Sequence, residues 1–462
     1  MADSRIPTEL GTKKISTLLK EYAVPAIIAM TASSLYNMVD GIYIGHIKDV
    51  GSYAISGLAV TFPLMNLSVA MGTLVGVGAS TMISVLLGRK NYPVACKVLT
   101  NEVSLNVIFG LAFMVVSLLF LTPILNFFGA DENTLPYASQ YMTIILLGNV
   151  FTHLYFGLNN VIRASGNPRL AMGLTLFTVI SNSILDPIFI FALDMGIQGA
   201  ALATVLCQMM ALSYSMWYFM DQKRFLHLPG RVFGLDIRIA RRSLAIGMGP
   251  FLMNSASCIV ALFINQQLRA YGGSLSIGAY GIVNRICFLF IMIIMGFNQG
   301  MQPIAGYNFG ATQYSRVKEV FYLTAKWATG IVTAGFILSV FFPEVAVSAF
   351  TSDPELRDIA SHGLRTMNIL FPIIGFQMVG TNLFQCLGMV KKSIILSLSR
   401  QLLVLLPAVY ILPSFFGVDG IWYSFPISDF LASLLTVAFL AGLMRKFSRL
   451  KDGEAFKIDF ID

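Results

Sequence analysis

The chain has 462 residues, of which 56% are hydrophobic and only 12% charged, with a mean hydropathy of +0.74. A water-soluble chain carries about 25% charged residues, so this one cannot solvate its own surface and lipid must be its main solvent. The formal charge of +8 is not gathered into a basic run interleaved with aromatics, which argues against a nucleic-acid partner. The five cysteines are odd in number and widely spaced, lack a C-x-x-C pair, and read as packing residues.

Residues 1–21 are polar and carry Lys13, Lys14 and Lys20. No small-residue cleavage pattern accompanies the first apolar run, so that run is expected to stay as a membrane helix. A span needs about 20 mostly apolar residues. Runs of that kind predict twelve: 22–45, 53–87, 98–127, 135–162, 169–192, 196–220, 242–270, 276–304, 318–343, 362–388, 392–415 and 420–445. The second is the longest, and Gly72, Gly76 and Gly78 suggest a break or a polar-facing stretch inside it. Residues 221–241 are polar and basic and read as a solvated cytoplasmic linker. They separate an N-lobe (1–220) from a C-lobe (242–462).

Loop charge sets the orientation. Alternate loops hold Lys13/Lys14/Lys20, Arg89/Lys90/Lys97, Arg163/Arg169, Lys223 through Arg242, Arg316/Lys318, Lys391/Lys392 and Arg445 through Lys451. The others hold mainly Asp131/Glu132, Asp194, Glu344, Asp353/Glu355/Asp358 and Asp419. The positive-inside rule then places both termini in the cytoplasm, consistent with an even number of spans.

The two halves share landmarks. Gly166 of "NVIRASGNP" faces Gly388 of "NLFQCLGMVK" (388 − 166 = 222). "LGRKNY" faces "NFGATQY" at the same offset, as do the acidic loops at 131 and 353, and "MGIQGA" faces "FGVDGI" one residue closer. A constant offset marks an internal repeat. Six spans per repeat is even, so the repeats are parallel.

A charge at bilayer depth is costly and needs a reason. Asp40 lies in the first span and Asp186 in the fifth, each six to eight residues before an outer loop at His46 or Asp194. At about 1.5 Å per residue the two acids share a height. Tyr36 and Asn37 precede Asp40 by about one turn, Asn182 precedes Asp186, and Thr204 and Gln208 form a polar pair in the sixth span. Pro187 removes a backbone donor and frees the Ser183 carbonyl. These are hard oxygen ligands, suited to a small cation or to a proton shared by two carboxyls. The alternative is a pair of acids satisfied by neighbours or by a water-filled vestibule. In the second half Asp429 and Arg285 share a depth and read as a structural ion pair. His46, His153, His227 and His362 form no cluster.

The motifs "SLYNMVDGIYIG" (34–45), "NNVIRASGNPRLAM" (159–172), "SNSILDPIFIF" (181–191) and "GFNQGMQPIAGYNFGA" (296–311), on twelve spans and a repeat, resemble the multidrug and toxic compound extrusion (MATE) family over nearly the whole chain. The details resemble its DinF-type branch and MepA-like exporters. In that branch the coupling residues match Asp40, Asn182, Asp186 and Thr204, and the fourth-span pair matches Asn159 and Asn160. The NorM-type acids of the seventh and tenth spans have no match here. The resemblance implies an all-α membrane fold of two six-helix lobes around a cavity. It implies no cofactor, a coupling ion of Na⁺ or H⁺, and export of organic cations or amphiphilic drugs. It also implies a monomer in the inner (plasma) membrane bilayer. Tyr36, Asn37, Asn159, Asn160 and Gln208 are expected to line the cavity. A lipid-linked oligosaccharide or polysaccharide flippase of the same superfamily is the alternative. With no nucleophile or metal cluster near an interface, an enzyme is not expected.

Overall fold

Backbone polar groups in lipid must be satisfied within the protein, and a helix does this locally. The computed structural model describes residues 9–47, 51–230, 233–454 and 456, without the side chains of 37, 38, 41, 42, 45, 51, 52, 55 and 274. Among the described residues there is no strand. The spans are α1 (Ile15–Gly45), α2 (Gly51–Gly88), α3 (Tyr92–Leu119), α4 (Leu135–Leu147 and Asn149–Ala164), α5 (Pro168–Pro187) and α6 (Ile197–Met220). The second set is α7 (Ile237–Gly273), α8 (Leu275–Gly310), α9 (Tyr314–Phe341), α10 (Pro354–Met367 and Phe371–Cys386), α11 (Val390–Phe416) and α12 (Val418–Arg449). Ten of these are single candidate spans, and α4 and α10 complete twelve as bent pairs.

The sequence did not mark those bends. α4 bends by 56° beside Gly148 and α10 by 55° near Asn368, and both runs read as continuous. Conversely, α2 is one unbroken helix, so Gly72, Gly76 and Gly78 do not interrupt it. α3 begins at Tyr92 rather than 98 because Asn91 caps it and Pro93 fits the first turn. α7 begins at Ile237, so the end of the expected linker is already helical. After Pro187 the helix continues as a π turn, Ile188–Ala192, as expected where a proline has removed a backbone donor.

The repeat is written in the backbone. Gly196 (φ 56, ψ −137) and Gly417 (φ 62, ψ −139) have matching conformations. So do Asn91 (φ −94, ψ 71) and Gln313 (φ −98, ψ 71). Positive φ recurs at Lys90 and Thr312, where a side chain bears the strain of the turn, and at Gly166 and Gly388.

The chain divides into two compact units. Unit 1 is built on Ile28–Phe251, and unit 2 on Lys13–Ile27 with Leu252–Phe456. The divisions fall inside α1 and α7, just past Pro25 and Pro250, and not at the linker. Small residues set the close contacts. In unit 1 a Cβ on Gly247 would lie 1.8 Å from the Leu74 carbonyl oxygen, and one on Gly78 would lie 2.0 Å from that of Ser243. In unit 2 a Cβ on Gly300 would lie 2.6 Å from the Ala23 backbone. Gly78 and Gly300 are themselves a repeat pair (300 − 78 = 222).

The linker is not a free solvated loop. Leu226 and Leu228 are buried, and the Gly234 and Asp236 N–H groups donate to Ser104 Oγ (3.1 Å) and Asn101 Oδ1 (2.9 Å) on α3. In unit 2 the segment after α12 does the same. Gly453 N–H donates to the Thr312 carbonyl (3.0 Å), Tyr314 OH donates to the Glu454 carbonyl (2.6 Å), and Ser315 bonds to Asp452.

Gly247→Ala is expected to cost about 1–3 kcal/mol through overpacking against backbone. Thermal unfolding of the detergent-solubilised protein would show this as a lowered midpoint. Gly442→Ala, whose Cβ meets nothing within 4 Å, should leave the midpoint in place.

Candidate functional site

Asp40 on α1 and Asp186 on α5 come together in unit 1. They are 6% and 0% exposed, and their carboxyls lie within hydrogen-bonding reach of each other. Asp186 sits in the last turn of α5, where the π turn follows. Asn182, one turn earlier, is held between them and α6. With its amide oriented to suit its neighbours, Nδ2 donates to Asp186 Oδ2 (2.9 Å) and Tyr36 OH (3.0 Å), and Oδ1 accepts from the Thr204 N–H (3.0 Å). Tyr36 OH and Thr204 Oγ1 are 3.0 Å apart. Asp40 Oδ1 is buried and receives no hydrogen bond among the described residues. Tyr141, on the first half of α4, is buried beside both carboxyls. No pattern in "ASQYMTI" singles it out from the sequence.

Two carboxyls this close cannot both carry a bare negative charge in a dry interior. Such a pair can take a shared proton or a small cation. The surrounding oxygens, from Asn182, Thr204 and Tyr36, are hard donors of the kind such a cation accepts. Repeat positions in unit 2 are Leu262 for Asp40 (40 + 222) and Ala408 for Asp186 (186 + 222), so this chemistry belongs to unit 1.

The other cavity candidates do not join this cluster. Asn159 Nδ2 donates to the Ala171 carbonyl (3.2 Å) and Thr175 Oγ1 (3.2 Å), tying α4 to the start of α5. Asn160 Oδ1 accepts from Arg163 (3.3 Å). Gln208 Oε1 accepts from Thr152 Oγ1 (2.5 Å). The Asn37 side chain lies outside the described residues.

The expected ion pair between Arg285 and Asp429 is corrected. Asp429, 3% exposed, accepts from Arg400 Nε at 2.6 Å, and Ser428 Oγ donates to the Arg400 carbonyl. Arg285 lies on an exposed face of α8. Shared depth was the right criterion but left the direction around the helix open. Arg400 sits in a second π segment, Ser399–Leu405, which shifts its face from the α-helical register. A further buried acid, Glu102 on α3, stands close to the start of an apolar run, where a charge reads as an end residue.

Twelve spans in two parallel repeats, with buried acids deep in one of them, define an integral membrane transporter. The profile of the MatE family matches residues 25–188 and 245–411, and the chain belongs to that family. Multidrug export protein MepA of Staphylococcus aureus (strain MSSA476) is 29% identical over 417 residues, covering 90% of this chain and 91% of its own. MepA of Staphylococcus haemolyticus is 28% identical over 434 residues, covering 93% and 94%. Among solved structures, the MATE multidrug transporter DinF-BH is 36% identical, with a TM-score of 0.88 over 96% of this chain and 98% of its own. An outward-facing MATE transporter of the MOP superfamily has the same fold at 24% identity, with a TM-score of 0.88 over 96% and 98%.

Arg400→Leu is expected to destabilise the protein by about 3–5 kcal/mol, because it leaves a buried charge unpaired. Adding Asp429→Leu should restore most of the loss, which a double-mutant cycle of thermal unfolding would measure.

Proposed function

We propose that the protein exports organic cations or amphiphilic drugs in exchange for Na⁺ or H⁺, with Asp40 and Asp186 as the coupling pair. The observation that carries this reading is the contact between the two buried carboxyls, braced by Asn182, Thr204 and Tyr36. Relatives named as multidrug export proteins over nine-tenths of the chain support the cargo class. The protein acts as a monomer in the plasma membrane with both termini cytoplasmic. Its two lobes, 1–220 and 242–462, alternate access around the linker 221–241.

The cycle follows from charge. Drug is held while the pair is ionised and free of cation. On the outer side Na⁺ or H⁺ binds between Asp40 and Asp186, neutralises them and draws α1 and α5 together. The drug site loses its negative potential, drug leaves, and the cation-loaded protein turns inward. Pro25, where α1 passes from one unit to the other, is the flexible point of that helix.

Inverted membrane vesicles loaded with a fluorescent organic cation test this under pH and Na⁺ gradients imposed separately. Asp40→Asn and Asp186→Asn should each cut gradient-driven transport by about tenfold to a hundredfold, the usual size of a coupling between sites. Full transport by Asp40→Asn at normal expression would refute the mechanism.

A further inference from the structure

Three ridges meet inside unit 1. Ser68, Gly72 and Gly76 lie one turn apart on α2, Glu102, Asn106 and Gly110 on α3, and Asn149, His153 and Gly157 on α4. Glycine lets them touch. A Cβ on Gly157 would lie 1.8 Å from Glu102 Oε1, one on Gly76 2.9 Å from Gly157 Cα, and one on Gly72 3.3 Å from the His153 ring. Ser68 Oγ donates to Asn149 Oδ1 (2.5 Å) and stands 3.2 Å from His153 Nε2. Asn149 Nδ2 donates to the Gly110 carbonyl (3.1 Å), and Asn106 Nδ2 meets Glu102 Oε1 at 2.5 Å.

This polar seam is buried and incomplete. Glu102, Asn106 and His153 are at most 1% exposed. Among the described residues Glu102 Oε2, Asn106 Oδ1 and His153 Nδ1 have no hydrogen-bond partner. The titratable groups on the packed elements are His153, Tyr155 and Arg163 on the second half of α4, with Tyr137 and Tyr141 on its first half. Asp221, Lys223, Arg224, His227 and Asp236 come from the linker, and Arg238, Arg241 and Arg242 from the start of α7. Within the described part of α2, only Tyr53 is titratable. Among the described residues no cation pairs with Glu102, and Arg163 is turned to Asn160. A buried carboxylate without a counter-charge is strongly disfavoured. In this packing the Glu102 carboxyl is buried, its partner among the described residues is the Asn106 amide, and a Cβ on Gly157 would collide with it.

The second repeat serves as an internal control. Adding 222 to the same nine positions gives Phe290, Ile294 and Asn298 on α8, Thr324, Ala328 and Val332 on α9, and Phe371, Gly375 and Val379 on α10. There the Phe290 and Phe371 rings pack edge to face at 6.1 Å, and a Cβ on Gly375 would meet the Ala328 backbone at 2.8 Å. The same three-helix contact is built there from these nine residues without an ionisable side chain. The fold does not require an acid at this seat.

We propose that Glu102, with Asn106 and His153, is a second proton-binding site, separate from Asp40 and Asp186, whose deprotonation accompanies separation of α3 from α4. Glu102 stands about 15 Å from the start of α3, beside Asn101 and Ser104, which hold the linker. On the reading under Proposed function the linker is cytoplasmic, so this is the inner station of the proton. When α3 and α4 part, water enters, the Glu102 carboxyl gives up its proton to it, and the carboxylate is then hydrated. When they close, the carboxylate takes a proton back before it is sealed under Gly157.

Infrared difference spectra of the full-length protein in lipid vesicles, taken through a pH titration, test this directly. A carbonyl band of a protonated buried carboxyl should persist in the Asp40→Asn, Asp186→Asn double variant, be lost from it as pH rises, and be absent once Glu102→Gln is added. Under a pH gradient Glu102→Gln should export a fluorescent cation about tenfold more slowly, with one limb of the pH profile missing. Glu102→Thr, which copies the second repeat, serves if the glutamine variant does not assemble. A band indifferent to the substitution, an unaltered pH profile, or wild-type transport driven by Na⁺ alone overturns the proposal. Unimpaired transport by Asp40→Asn would instead overturn the coupling pair and leave the Glu102 band to be judged on its own.

Discussion

Lipid offers no hydrogen bonds, and every polar group in this protein answers to that fact. Backbone groups answer by becoming helix, even where Pro187 would break it, by passing into a π turn. Side chains answer in pairs or small clusters between helices: Asp40 with Asp186 and Asn182, Arg400 with Asp429, Asn368 with Ser339 and Cys287. Two buried carboxylate oxygens, Asp40 Oδ1 and Glu102 Oε2, are without a partner among the described residues, and in a native structure such groups call for an explanation.

The repeat separates scaffold from chemistry. Both halves keep the same turns, the same bend in the fourth helix and the same fold-back of chain after the sixth. Duplicated geometry at Gly196 and Gly417 shows how closely the backbone has been held. Chemistry has not been held. Unit 1 carries three buried acids where unit 2 has Leu262, Thr324 and Ala408. Unit 2 carries an arginine–aspartate pair where unit 1 has Thr178 (400 − 222) and Gln208 (429 − 221). A symmetric frame with asymmetric charge gives one half the unpaired buried acids and leaves the other half a paired arginine and aspartate.

Much of this was legible in the sequence because it depends on distance along a helix. Run length yields spans, a constant offset yields the repeat, and counting from an outer loop puts Asp40 and Asp186 at one height, where they meet. What was not legible depends on rotation about a helix and on local breaks. Arg285 and Asp429 share a depth but not a direction, and the π segment at Arg400 moves its side chain to a face that a 3.6-residue period does not give. Asn159 and Gln208 are polar residues on the correct helices, yet each turns to a local partner. Glu102 was hidden because its neighbours Asn101 and Ser104 are also polar. A buried seam beside a linker then looks like the ordinary end of a span. The bends beside Gly148 and Asn368 interrupt runs whose hydropathy does not change.

Unit 2 contains both Lys13–Ile27 and Leu252–Phe456. Its oldest piece is therefore synthesised more than two hundred residues before its neighbours, and Ala23 must wait for Gly300 to find its packing surface. Such contacts between distant parts of a chain are slow to form and leave partly assembled surfaces exposed in the interval. Assembly of this protein in the bilayer is thus a matter of timing as well as of sequence. The first helix to enter the membrane is among the last to be fully packed.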